Sequence, residues 1–286
     1  MLFVNNMEYL FNDISESKWF TCIRQLVDNQ VVNTDVVFGF STSIYKEELS
    51  PLHLVTLANV IQYFWENNNV YISHNSNKEL CDYVYSELKF SEYWSKGKNH
   101  VDANANILNL WRLVDTEKDL YAKNVEEYFK RNYFKDHDLS VISQIMTEAF
   151  YNVFDHANAD NNAFSFISYD SDKKLLSAAI SDFGVGIAKS VRNFKNSNIT
   201  DKDALTLAIE DNFTVCSTKR NHGLGLSNIL NGADSVKIIS GDGVIIKKLE
   251  NTEIKETTYS FPGTLIYFDV DLASTEKEEI LNEFDW

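Results

Sequence analysis

Residues 147–226 leave this chain few folds to choose from, because three short polar and glycine motifs occur there in a fixed order. The first is a column of Glu148, Asn152 and His156, each four residues from the next. In a helix that spacing stacks them on one face. The intervening Ala149, Phe150, Val153 and Phe154 supply an apolar face. A core helix has no need of three polar groups in a column, whereas a helix holding a cation beside an anionic ligand does. An asparagine offers a neutral oxygen to a hard metal ion, and a glutamate can take a proton or orient a nucleophile.

The second motif is Asp182-Phe-Gly184-Val-Gly186-Ile187, directly after residues 174–181, which read as a strand. Glycines in that place let backbone approach a ligand closely. An aspartate at a strand end can accept a hydrogen bond from an exocyclic amine such as that of adenine. The third is His222-Gly223-Leu-Gly225-Leu226, which opens an apolar helix over 226–230. A glycine-rich helix start turns free N–H groups toward an anion. No GxGxxG follows a strand here, so this is not the dinucleotide fingerprint.

Together the motifs resemble the ATP-binding domain shared by DNA gyrase, heat-shock chaperones, histidine kinases and mismatch-repair ATPases, the GHKL or Bergerat fold. Glu148-Ala-Phe-Tyr-Asn152-Val-Phe-Asp-His156 is similar to that family's N box, in the form closest to anti-sigma serine kinases. Asp182 to Ile187 resembles its first glycine box and Gly223-Leu-Gly225-Leu226 its second. Pro262-Gly263-Thr264 before residues 265–270 resembles the strand that closes the site. The resemblance covers about residues 119–271 and implies an α/β-sandwich domain binding ATP and Mg²⁺. It implies that Asn152 holds the metal and that Glu148 is the catalytic base or orients the attacking group. Asp182 would bind the adenine amine, with Thr264 supporting that end. Gly184 and Gly186 would let a lid fold over the nucleotide. Gly223 and Gly225 would give N–H groups to phosphate, with His156 and Lys219 as further phosphate contacts.

Charge narrows the partners. Lys and Arg number 26 against 42 Asp and Glu, a net charge of −16. Such a surface repels nucleic acid and anionic membranes, which argues against a clamp loaded onto DNA. Three cysteines, Cys22, Cys81 and Cys216, are odd in number and widely spaced. They read as free thiols of a reducing cytoplasm, not as a disulfide or zinc framework. The first residues lack a signal-peptide pattern, and no run of about 18 apolar residues is present to span a membrane. The expected location is cytoplasmic.

The amino-terminal part alternates helix and strand. Helical spacing covers 15–29, a buried strand 35–41, and a helix runs to 67 after Ser50 as N-cap and Pro51 at its first position. Leu54, Leu57, Ala58, Ile61 and Trp65 give that helix its apolar spacing. A strand over 69–73, a helix over 77–90 and a strand over 107–114 follow. This is an α/β unit, placed at 1–115, and its pattern resembles a STAS domain. In that family a hydroxyl at a helix start accepts phosphate, and Ser50 falls at the corresponding place. The local Leu49-Ser50-Pro51-Leu52 departs from the family's Asp-Ser-Ser-Gly, and an N-cap role is the simpler account of Ser50. A GHKL-type domain is placed at 119–272 and an acidic tail at 273–286.

Between Gly186 and Gly223 lies the expected ATP lid, with Ser217-Thr218-Lys219-Arg220 a short polar and basic cluster. Gly241-Asp242-Gly243 reads as the turn of a hairpin between strands 236–240 and 244–249. His137 lies eleven residues before Glu148, too near to belong to the phosphoacceptor box of a histidine kinase. The expected protein is an ATP-binding regulator that hydrolyses ATP or phosphorylates a protein Ser/Thr in a signalling or stress switch. The alternative is a non-catalytic, ATP-gated protein-interaction module. Its expected partners are ATP and a protein, with homodimerisation admitted.

Overall fold

The computed structural model describes residues 6–96, 106–154, 159, 162–210, 225–275 and 277. The fold is mixed α/β, with one parallel sheet of three strands and one antiparallel sheet of five. Strands β1 (Asn6–Phe11), β2 (Asp35–Phe40) and β3 (Asn69–Ile72) pair in parallel in that order. Helices α1 (Glu16–Asp28) and α2 (Pro51–Trp65) connect them. Two short helices, α3 (Lys78–Asp82) and α4 (Ser91–Ser95), lead toward the second sheet. The helix expected over 77–90 is interrupted, since Tyr83–Glu87 adopts a π turn after α3.

The second sheet has the order β4-β5-β6-β8-β7. Its strands are β4 (Ile107–Arg112), β5 (Ala163–Asp170), β6 (Leu175–Asp182), β7 (Ser235–Lys248) and β8 (Asn251–Asp271). Helices α5 (Lys118–Asn132), α6 (Ser140–Asn152), α7 (Ile187–Lys195), α8 (Asp201–Ala208) and α9 (Gly225–Gly232) accompany it. Strand β4 precedes the boundary expected at 115–118, and it pairs with β5 in this second sheet.

Alternate residues of the antiparallel sheet serve two different cores, as the strand's period of two dictates. Ala178 and Ile180 of β6, with Ile266 and Phe268 of β8, pack under α5, α6 and α9. Ala179 of β6, Phe164 and Phe166 of β5 and Leu265 of β8 pack with α1, α2 and the parallel sheet. The result is four layers: parallel sheet, two helices, antiparallel sheet, helices.

Helix α2 therefore lies between two sheets and touches β3 on one side and β5 and β6 on the other. All of its residues except Tyr63 and Trp65 are buried, as expected of a helix with no solvent face. Trp65, expected on the apolar face, is 41% exposed. Four buried polar residues, His53, Thr56, Asn59 and Gln62, recur three apart along it, and each is partnered. His53 Nε2 donates to the Ile14 carbonyl at 3.0 Å, which leaves Nδ1 to accept from Ser50 Oγ at 3.0 Å. Ser50 thus stands as the N-cap residue of α2. Thr56 accepts from the Trp19 indole at 2.9 Å. Gln62 accepts from Trp94 at 3.1 Å and from Arg112 at 2.7 Å.

The hairpin expected at Gly241–Gly243 is corrected. Strand β7 runs through these residues as a bulge, with register shifts on both sides of Gly241. Gly241 has φ +64°, and a β-carbon there would overlap the Asp201 carboxylate. The turn lies at Leu249 and Glu250, where Leu249 takes φ +52°. Among the described residues, no helix is long and apolar enough to cross a membrane.

Candidate functional site

Two clusters form around the predicted residues. In the first, Glu148 and Asn152 lie one turn apart at the end of α6, both half-buried. Asn152 donates its amide to the Glu148 carbonyl at 2.8 Å. Its own oxygen, the atom a hard cation binds, is not the one engaged by that bond. Asn228 of α9 donates to Glu148 Oε1 at 2.9 Å. Gly225, the first residue of α9, faces the same pair: a β-carbon there would stand 3.1 Å from Glu148 Oε2 and 3.8 Å from Asn152 Nδ2.

Two turns further on, Gly232 faces Val141 and Ile145 of α6, with a β-carbon 3.0 Å from Ile145. Helix α9 therefore runs antiparallel to α6 along a glycine seam. Its amino-terminal end arrives beside Glu148 and Asn152.

The second cluster forms where β6 ends. Asp182 is 1% exposed and pairs with Thr264 of β8 across the sheet. Its Oδ1 accepts from the Gly184 amide at 2.7 Å. Its Oδ2 is buried and has no hydrogen-bond partner among the described residues. Gly186 takes φ +81°, and a β-carbon there would stand 2.8 Å from the Gly263 carbonyl and from Ser240 Oγ. Thr264 Oγ1 accepts from the Ile187 amide at 3.3 Å, and Ser240 Oγ from the Ala188 amide at 3.2 Å. These two hydroxyls satisfy the first amides of α7, which a helix leaves unpaired. A cavity of about 340 Å³ opens at this loop, lined among others by Phe183, Gly184, Arg192 and Gly263.

Burial pushes the Asp182 carboxyl up to about 7, while the hydrogen bond from the Gly184 amide and the proximity of the Thr264 amide pull the other way. The protonated form is thus favoured in the fold. The stability it contributes is complete below the unfolded value near 4 and is lost as pH rises through about 7. Unfolding by urea at pH 5, 6, 7 and 8 checks this. Wild type is expected to lose stability toward pH 8 relative to Asp182→Asn, and parallel curves would show that Asp182 does not titrate in this range.

His156, Lys219 and Gly223 lie outside the described residues, as does the Ser217–Arg220 cluster. Among the described residues no group of three or more His, Cys, Asp or Glu side chains is placed to hold a metal. His137 Nδ1 and Thr275 Oγ1 stand 2.9 Å apart. Sequence reading missed Ser240, Asn228 and Gly232. Gly232 alone carried a signal, standing seven residues after Gly225 on the same helical face. No protein-family model matches the chain, and no curated protein matches it.

Proposed function

We propose that this protein is an ATP-binding, Mg²⁺-dependent regulator of the GHKL type that hydrolyses ATP or transfers its phosphoryl group to a protein Ser/Thr. The observation that carries the nucleotide reading is Asp182 Oδ2, a buried carboxylate oxygen left without a partner beside a glycine loop. Leaving such an atom unpaired is costly, and in its ionised form it accepts, so that an exocyclic amine is a donor of the kind it lacks. The other residues fit the same ligand. Asn152 would hold the metal with one neutral oxygen, in keeping with the preference of Mg²⁺ for few protein ligands plus phosphate oxygens. Gly225 and the N-terminus of α9 would face the phosphates. When bound, ATP would supply the phosphoryl group, and Mg²⁺ would offset its negative charge. The amino-terminal unit, STAS-like in its alternation of strands and helices, would receive the protein partner or a second copy of the chain.

A specific contact favours the second reading, an ATP-gated module without turnover. Glu148 Oε1 is held by Asn228 of α9, so this carboxylate also serves as a latch between α6 and α9. A nucleotide that altered the latch would change the surface around α9 without any chemistry.

Calorimetry with and without Mg²⁺ tests the binding claim. Wild type is expected to bind ATP more tightly with Mg²⁺, and Asn152→Ala to lose that gain. An equal Mg²⁺ effect in both proteins would remove Asn152 from the site, and no binding of ATP to wild type would defeat the proposal.

A further inference from the structure

Helix α2 grips the chain on both sides of Asp182 from the far face of the sheet. Asn59 Nδ2 lies 2.7 Å from Asn162 Oδ1, 3.0 Å from the Asn162 carbonyl and 3.4 Å from the Ser181 carbonyl. Asn162 returns its amide to the Asn59 carbonyl at 3.3 Å and accepts from the Phe183 amide at 3.1 Å. One turn along α2, the Tyr63 ring meets Phe183 edge-on, with centroids 6.2 Å apart. Phe183 in turn meets Phe261 of β8 edge-on at 5.7 Å. The residues before and after Asp182 are thereby fixed to one helix of the amino-terminal unit.

Asn59 is fully buried, and its Oδ1 has no partner. An apolar residue would fill that space without leaving an acceptor unpaired. What an apolar residue cannot supply is the nitrogen that reaches the Asn162 and Ser181 carbonyls.

We propose that Asn59 is a positioning residue for Asp182: through it, the amino-terminal unit sets where the carboxylate stands and so which base the site accepts. Tyr63 supports the same loop from its other side. The proposal rests on reading Asp182 as the residue that meets adenine. It makes α2 part of the nucleotide site, and any ligand or partner that moves α2 would alter base recognition.

Among the described residues, the groups around the loop are few. Burial and the Gly184 and Thr264 amides act on the Asp182 carboxyl. Charged residues lining the adjoining cavity are Arg24 of α1, Lys189 and Arg192 of α7 and Asp201 of α8. Arg24 is paired with Asp28 and Arg192 with Asp201.

The test uses the full chain with Asn59→Ala and, as a milder change, Tyr63→Leu. Two quantities are read: the ratio of ATP to GTP affinity, and the midpoint of the Asp182-dependent part of the pH–stability profile without nucleotide. That part is the difference between each protein and its Asp182→Asn counterpart. Asn59→Ala is expected to lower the ATP preference at least about tenfold and to shift the midpoint downward as water reaches the carboxylate. Tyr63→Leu should move both in the same direction by less, and it decides the matter if Asn59→Ala does not fold. A purely structural role would lower stability and leave ratio and midpoint in place, which would overturn the proposal. If wild type itself shows no preference for ATP, the adenine reading fails. The midpoint then still decides: a shift supports positioning by Asn59, and an unmoved midpoint refutes it.

Discussion

Glu148→Gln is expected to bind ATP as wild type does and to lower hydrolysis or phosphotransfer at least about a hundredfold. Glutamine matches glutamate in size and keeps an oxygen for the Asn228 amide, which now reaches Glu148 Oε1 at 2.9 Å. The seam between α6 and α9 should therefore survive. What is lost is the capacity to take a proton on the face that Asn152 and Gly225 share. Removing a positioned base typically costs about 10²–10⁴ in rate, which sets the size of the effect. Binding isotherms together with single-turnover assays on labelled ATP separate the two readings. If wild type transfers phosphate neither to water nor to a candidate acceptor, and Glu148→Gln still supports ATP-dependent partner binding, Glu148 is a latch and the protein a gated module. If the variant instead loses ATP affinity along with rate, Glu148 belongs to ground-state binding.

The second large effect is expected at Gly263. This residue has φ +109°, and a β-carbon on it would overlap the carbonyl oxygen of Asp182. Both partners are backbone atoms in paired strands, so no side-chain rotation relieves the clash. Backbone strain of about 1–3 kcal/mol adds to a similar overpacking cost. Gly263→Ala should thus lose roughly 3 kcal/mol or more, a large share of the 5–15 kcal/mol typical of folded proteins, with ATP binding reduced in whatever folds. Urea unfolding measures the loss. Gly225→Ala is the contrast, because its β-carbon would meet the movable Glu148 carboxylate at 3.1 Å. It should fold nearly as well as wild type and disturb the site instead. A Gly263→Ala protein within about 1 kcal/mol of wild type would show that the two strands can separate without penalty.

Legibility followed backbone constraint. Gly186 stands out in the sequence because a turn with positive φ and a close approach to Gly263 and Ser240 leave room for no side chain. The column of Glu148 and Asn152 is legible because helical spacing alone stacks them. Strand β5 is different. Its Ala-Phe-Ser-Phe-Ile-Ser-Tyr is buried on both faces of the sheet, so the alternation that marks a half-exposed strand is absent. Gly241-Asp-Gly243 suits a bulge as well as a hairpin turn, since both can use positive φ. The real turn, at Leu249, has no glycine to announce it.

The polar residues of α2 carry no legible role for another reason. His53, Thr56, Asn59 and Gln62 are each met by a partner distant in sequence, which no local pattern announces. Asn162 has the same character. Nothing local distinguishes it from its neighbours, and only the packing of α2 on β5 and β6 gives it a role.

The sharing of the antiparallel sheet between two cores has a consequence for assembly. Both broad faces of its central strands β5 and β6 are consumed within one polypeptide, whereas the ribbon of β7 and β8 around Leu249 stays exposed. Among the described strands, the unsatisfied borders are β4 and β7 in one sheet and β1 and β3 in the other. Among these described margins a partner that adds by strand pairing would meet α2 at three: at β1 through Tyr9 and Phe64, at β3, and at β4 through Arg112 and Gln62.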